Sequence, residues 1–258
     1  MNPLPNQNDQ VMRKYGLIGF PLGHSFSKKY FAEKFEKEGI DDAVYDNYPL
    51  EDINGFEPLY KGDPELMGLN VTIPHKESVI PFLDVLSEDA RNIGAVNTIC
   101  LCTKTGRLVK VGHNTDTSGF RKSLEEHLTD VPKEALVLGT GGSSKAVVYV
   151  LEDMGIKVTR VSSSGKEGAI AYSDLTDKMV QQAKLIVNTT PLGMHPNTDA
   201  CPDIPCDALT TDHLLFDLVY NPVVTRFMQE GRNRGASAVN GYQMLVYQAE
   251  EAWQIWNR

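Results

Sequence analysis

The chain has 258 residues, 41% of them hydrophobic and 23% charged, with a formal net charge of −9. This balance supports one large or two smaller globular domains and excludes a disordered or fibrous polypeptide. The acidic excess argues against a nucleic-acid partner, whose binding runs on clustered Lys and Arg that displace counterions from phosphates.

The first ten residues, MNPLPNQNDQ, have neither the basic start nor the apolar stretch of a secretion signal. No apolar run approaches the length of a membrane span, so a cytoplasmic protein without a membrane partner is expected. Beyond this tail, short β-branched runs alternate with helical stretches, which is the signature of an α/β chain with helices covering a mainly parallel sheet. Tyr15 to Gly19 reads as a first strand. Lys28 to Glu38 reads as a helix with Phe31 and Phe35 on one face and Gly39 as its stop. Further strands are expected near Val44 and Met67. Cys100 to Thr103 and Leu108 to Val111 flank Thr105-Gly106 and read as a hairpin, a short crossing being the alternative. The cysteines are Cys100, Cys102, Cys201 and Cys206, and neither pair has the two-residue gap usual in zinc sites, so free thiols and no bound metal are expected.

A second unit opens with a helix at Thr115-Asp116 and continues into ALVLGTGGSSKAVVYVLEDMG, a buried strand, a glycine turn and a helix closed by Gly155. Strands near Val158, Ile186 and Phe216 supply the rest of a nucleotide-binding sheet. The amphipathic helix from Tyr242 to Trp256 suits a packing site on either unit.

Gly139-Thr140-Gly141-Gly142 lies between the strand Ala135 to Leu138 and a helix, where missing side chains let backbone N–H groups and the helix dipole meet a pyrophosphate. Ser144 stands in place of the third glycine, and a plain tight turn is the alternative. An NAD-preferring site usually presents a carboxylate at the end of the next strand. Here Ser162, Ser163, Ser164 and Lys166 offer donors instead, with Arg160 as a further candidate, which favours NADP with NAD as the lesser option; an uninvolved polar loop is the other reading.

Polar motifs also gather near strand and loop ends of the first unit. Ser25 and Ser27, one residue apart, can present two hydroxyls to one carboxylate from an extended loop, although Ser27 also suits a helix cap. In GLNVTIPHK the run Gly68 to Ile73 reads as a strand stopped by Pro74, which delivers Lys76 at its end. A lone lysine is ordinarily a solvated one. Asp116, placed for a cap at a helix start, can alternatively face Lys76 across a cleft.

Together GFPLGHSFS, GLNVTIPHK, GAVNTI, GHNTD, GTGGSS, NTTPLGM, FDLVYNP and NGYQMLVYQA resemble the shikimate dehydrogenase family, in the same order and at compatible spacing over roughly residues 15 to 256. The resemblance implies an N-terminal α/β substrate domain of residues 1–114 and 240–258, and a Rossmann-type doubly wound NADP domain of residues 115–239, with the active site between them. It implies reversible NADPH-dependent reduction of 3-dehydroshikimate to shikimate, a step of aromatic amino acid biosynthesis; the sequence leaves monomer and homodimer both open. By the same resemblance Lys76 and Asp116 form the catalytic pair, and Ser25 and Ser27 hold the substrate carboxylate. Asn70, Thr72, Asn97, Asp116 and Gln248 take the ring hydroxyls and Tyr220 faces the substrate. Gly139, Gly141 and Gly142 hold the pyrophosphate, while Gly193, Met194 and Gly241 lie at the nicotinamide end.

Three departures stand out. Ser162-Ser163-Ser164 replaces the Asn-Arg-Thr that clamps the adenosine phosphate in many members, Lys28 stands where a proline often follows the second serine, and His75 stands where a bulky apolar residue usually precedes the lysine. Two other activities are compatible with the same motifs: quinate or shikimate oxidation with NAD preference, and dinucleotide sensing without chemistry. Ser27 favours shikimate over quinate, since a threonine is frequent there in quinate enzymes, and the retained Lys76 and Asp116 speak against a sensor.

Overall fold

From Tyr15 onward the strand β1 (Arg13–Gly19) is buried on both faces, as a strand inside a covered sheet must be. The computed structural model describes residues 12–23, 25–165 and 168–258, so the N-terminal tail and Lys166 of the sequence expectations lie outside the described residues. The chain divides into two compact units, one formed by residues up to Asn114 with Ala252–Arg258, the other by Thr115–Glu251.

In the first unit β1 is followed by α1 (Phe26–Glu38), β2 (Ala43–Pro49), α2 (Phe56–Gly62), β3 (Leu66–Val71), α3 (His75–Ser78), β4 (Val85–Leu86), α4 (Glu88–Ile93), β5 (Thr98–Lys104) and β6 (Arg107–His113). The sheet order is β2-β1-β3-β5-β6-β4. β1 pairs in parallel with β2 and β3, whereas β5 runs antiparallel to β3 and β6. The hairpin expected around Thr105-Gly106 is present: φ is 49° at Thr105 and 79° at Gly106, the pair of positive values that a two-residue turn of this twist requires.

One face of this sheet carries an aliphatic core of Ile18, Leu69, Val71, Val96, Ile99 and Leu101 beneath Phe56 and Val79. The other carries aromatic rings. Tyr15 pairs in register with both Tyr45 and Gly68. Across them lies Trp256, stacked on Tyr15 at 4.8 Å and donating its indole N–H to Ile99 O at 2.9 Å. Gly68 makes the room, since a Cβ there would fall 2.2 Å from Trp256 Nε1. Phe31 of α1 stacks on Tyr45 at 4.5 Å and completes the slab.

Two boundaries next to expected site residues differ from expectation. α1 starts at Phe26, two residues before Lys28, because Ser25 in extended conformation accepts the Lys28 N–H and Phe26 stacks on Tyr30. β3 ends at Val71 and not Ile73, since its pairing with β5 covers only Gly68 to Asn70 and the chain then turns into α3. Lys76 therefore sits on a short helix.

The second unit holds α5 (Asp116–Glu125), β7 (Glu134–Leu138), α6 (Gly142–Asp153), β8 (Lys157–Ser162), β9 (Ile170–Ala171), α7 (Asp177–Gln182), β10 (Leu185–Asn188), β11 (Leu214–Asp217), α8 (Arg226–Arg232), β12 (Ser237–Asn240) and α9 (Tyr242–Trp256), whose last residues belong to the first unit. Its sheet runs β12-β11-β10-β7-β8-β9 with every pair parallel. This is the doubly wound dinucleotide-binding order, with its direction reversing between β7 and β10. Successive residues of β7 feed opposite cores: Ala135 and Val137 pack with Phe120, Val147 and Met244, while Leu136 and Leu138 pack with Val180 and Phe227. The edge strands β9 and β12 have two and four residues, too few to display a period in sequence. Among the described residues, no helix is long and apolar enough to cross a membrane.

Both tryptophans, Trp253 and Trp256, lie in the first unit, so their fluorescence reports on it. Trp256→Ala is expected to lower that unit's resistance to urea by about 3–5 kcal/mol, as for other buried Trp truncations. Gly68→Ala should also destabilise it, by forcing the indole off the strand.

Candidate functional site

Three buried polar residues of the first unit, Asn70, Asn97 and Thr98, form a hydrogen-bonded row with Tyr45. The Tyr45 hydroxyl donates to Asn70 Oδ1 at 2.8 Å, Asn70 Nδ2 donates to Thr98 Oγ1 at 3.1 Å, and Thr98 Oγ1 donates to Asn97 Oδ1 at 3.1 Å. Ser27 bonds to the Tyr45 hydroxyl; burial pushes the phenol's pKa well up, and the serine bond partly opposes this. The row thus unites Ser27, Asn70 and Asn97, expected from sequence, with Tyr45 and Thr98, which sequence reasoning missed. Tyr45 reads as a core aromatic in an alternating strand, and only the register with β3 shows that its hydroxyl meets Asn70.

The serine pair differs from its expected geometry. Ser25 caps α1 and Ser27 lies inside the helix's first turn, so the two are not side by side in an extended loop. Ser25, not Ser27, makes the cap. Lys28, in the position of the usual proline, extends to Asp46 of β2 at 2.6 Å.

Thr72 follows β3 and keeps its N–H on Ile18 O at 2.9 Å, while its carbonyl accepts the His75 N–H at 2.9 Å, leading the backbone into α3. His75 is buried with Nε2 at 2.5 Å from Leu50 O and Nδ1 at 3.3 Å from Ser78 Oγ. Val96 N–H bonds to Lys76 O at 2.7 Å. Four residues of helix would not hold a lysine in place alone. These bonds fix the backbone that carries half-buried Lys76.

In the second unit Asp116 is the first residue of α5, with Thr115 in the cap position, and is 2% exposed. Ser143 Oγ, from the first turn of α6, lies 3.5 Å from Asp116 Oδ2. Gly119 shares the Asp116 face of α5, and a Cβ there would fall 2.7 Å from Met244 O and 3.1 Å from Gln248 Cβ. This close approach of α9 brings Gln248 to the face that carries Asp116.

At the glycine turn, Gly139 has φ 115°, and a Cβ on it would fall 2.5 Å from Thr189 Oγ1. Gly141 caps α6 with no side-chain bond, which leaves the first-turn N–H groups of α6, beginning at Gly142, directed at the turn. Ser144, in place of the third glycine, is buried and sends its hydroxyl back to Gly139 O at 2.7 Å. Such a turn fits a pyrophosphate. At the end of β8 the Ser162 hydroxyl accepts the Gly165 N–H at 3.1 Å, so it shapes the turn, while Ser163 and Ser164 are exposed.

Past β10 and β11 lie Gly193, with φ 90°, exposed Met194, half-buried Tyr220 whose phenol burial pushes up, and Gly241, where a Cβ would fall 2.3 Å from Leu218 O. Sequence reasoning missed Asp217 at the end of β11. It is 0% exposed, and burial pushes its carboxyl up to about 6 against the opposing hydrogen bonds of Thr225, Val219 and Asn188. The motif FDLVYNP contains it, but a strand-end Asp reads equally as a turn former.

Comparison with known proteins sets this arrangement among relatives. The family model described as the shikimate dehydrogenase substrate binding domain matches residues 17–99. A shikimate dehydrogenase (NADP(+)) of Caldicellulosiruptor saccharolyticus is 37% identical, over 95% of this chain and 92% of the relative. The crystal structure of the Aquifex aeolicus shikimate dehydrogenase superposes with a TM-score of 0.85 at 32% identity, covering 97% of this chain and 94% of that one. A shikimate 5-dehydrogenase of Thermus thermophilus, in complex with NADP(H) and shikimate, gives 0.81 at 30% identity, covering 95% and 93%.

A carboxyl raised to about 6 binds its proton more tightly in the folded than in the unfolded chain. The stability it contributes is therefore fully present below about pH 4 and is lost as pH rises through about 6. Asp217→Asn removes this dependence. Between pH 4 and pH 7 the variant should gain on the wild type by on the order of 3 kcal/mol in unfolding free energy, from roughly two pH units at about 1.4 kcal/mol each. Urea titrations of both proteins across that range read the difference; a pH-independent gap would mean that Asp217 titrates alike folded and unfolded.

Proposed function

The chain belongs to the shikimate dehydrogenase family, and from that membership we propose that it catalyses the reversible NADPH-dependent reduction of 3-dehydroshikimate to shikimate. The observation that carries this reading is the glycine turn at the switch point of a doubly wound sheet, in a chain whose other unit lines up a buried, hydrogen-bonded row of polar side chains. Residues 1–114 and 240–258 bind the substrate and residues 115–239 the dinucleotide. The protein works in the cytoplasm as a monomer or homodimer, without a nucleic-acid partner.

Gly139, Gly141 and Gly142 take the pyrophosphate against the N-terminus of α6. Gly193, Met194 and Gly241 line the nicotinamide end, and the adenosine phosphate falls to Ser162, Ser163 and Ser164, Ser162 by shaping the turn, with Lys166 assigned to it from the sequence. NADPH, when bound, supplies the hydride. Ser25 and Ser27 hold the substrate carboxylate. Asn70, Thr72, Asn97, Asp116 and Gln248 hold the ring hydroxyls, and Tyr220 faces the substrate. Tyr45 and Thr98 keep the amides of Asn70 and Asn97 in one orientation, which spares the substrate the entropy of ordering them. Lys76 gives its proton to the developing alkoxide in reduction and takes it back in oxidation, with Asp116 as its partner.

Absorbance assays with NADPH and NADH on 3-dehydroshikimate, and with shikimate and quinate in reverse, test the reading. Faster oxidation of NADPH than of NADH, with shikimate oxidised in reverse, is expected; no turnover with either cofactor would leave a dinucleotide-binding module. Lys76→Ala should lower turnover by about 10²–10⁴ while NADPH binding is nearly intact, the usual worth of a positioned acid–base group. Undiminished turnover would remove Lys76 from the mechanism.

A further inference from the structure

Asp217 has no part in the reaction scheme above, yet three donors converge on it. Its Oδ1 accepts Asn188 Nδ2 at 2.9 Å and the Val219 N–H at 3.0 Å, and its Oδ2 accepts Thr225 Oγ1 at 2.6 Å. A carboxylate suits this convergence because it accepts on both oxygens and brings no hydrogen of its own. Burying it is costly, and the cost is met at the carboxyl end of β11, where ligands of doubly wound sheets bind.

Each donor leads to a different segment. Asn188 Oδ1 accepts the Thr190 N–H at 3.0 Å and the Thr190 hydroxyl at 2.6 Å, and Thr190 Oγ1 accepts the Leu192 N–H at 3.3 Å, so the turn that delivers Gly193 and Met194 is built on Asn188. Val219 leads directly to Tyr220. Thr225 caps α8 by accepting the Met228 N–H at 3.3 Å, and its side chain lies 3.3 Å from where a Cβ on Gly193 would stand.

We infer that Asp217 is the positioning residue of the nicotinamide side of the dinucleotide site, tying the loop after β10, the loop after β11 and the start of α8 into one arrangement. This rests on the reading of Gly193 and Met194 as nicotinamide neighbours. Asp217 acts through them and touches neither substrate nor cofactor.

Calorimetric titration with NADPH and with adenosine 2′,5′-bisphosphate, which lacks the nicotinamide half, separates positioning from general damage. Asp217→Ala should weaken NADPH by about 10- to 100-fold, the usual result of leaving buried donors without an acceptor, and leave the bisphosphate within about twofold. Asp217→Asn should recover most of the loss, since its oxygen can stay on Asn188 and Val219 while its amide turns to Thr225. Thr225→Val, which removes one donor, should show a smaller loss of the same selectivity and serves where Asp217→Ala does not fold. Equal weakening of both ligands, or no weakening of NADPH, would overturn the inference. Met194→Ala distinguishes the two levels. If it selectively weakens NADPH while Asp217→Ala leaves both ligands unchanged, the nicotinamide reading stands and the role of Asp217 falls; if Met194→Ala leaves both unchanged, the nicotinamide reading falls and the inference falls with it.

Discussion

Trp256 lies against the backbone of β3 because position 68 has no side chain, and much of the first unit follows from that contact. The indole covers Tyr15, which shares its register with Tyr45, and Phe31, itself 5.6 Å from the indole, stacks on Tyr45. Tyr45 is thus held by its ring. Its hydroxyl then donates to the Asn70 side chain, which in turn orients Thr98 and Asn97. The apolar packing of one chain terminus therefore sets the direction of amides on β3 and just before β5. Rigid aromatic support of a polar row is the arrangement expected where a small polyhydroxylated ligand must be recognised, since preformed donors cost little on binding.

The second unit depends on buried polar groups at the ends of its strands. Ser144, Thr189, Asn188 and Asp217 direct their side-chain hydrogen bonds to strand-end and turn backbone, to neighbouring threonine hydroxyls or to one another. Each bond lost there would leave a buried group unsatisfied. The parallel sheet brings these ends together on one side, which is why residues far apart in sequence act on the same turns.

The departures from the family pattern have local explanations. Ser144 replaces a glycine without crowding the turn because its hydroxyl closes on Gly139 O. Lys28, in a position often held by proline, pairs with Asp46 on the solvent side. His75 is buried and satisfied by Leu50 O and Ser78, so it substitutes hydrogen bonds for the apolar packing usual before the lysine, and fixes α3 by different means. For the serines at the end of β8, Ser162 shapes its own turn and leaves Ser163 and Ser164 at the surface.

What could be read along the chain is what local chemistry expresses. The glycine turn between strand and helix, the Thr105-Gly106 hairpin, the stop at Gly39 and the extent of α9 each follow from residues adjacent in the chain, where periodicity and backbone freedom decide. The polar motifs that carry Lys76, Asp116 and Asn70 were also legible, because unusual side chains cluster at strand ends. That Ser25 and not Ser27 caps α1, that Tyr45 belongs to the polar row, and that Asp217 gathers three segments became visible only once the chain was folded. Those facts depend on strand register and on burial, quantities that arise when distant segments pack and that no local window of residues contains.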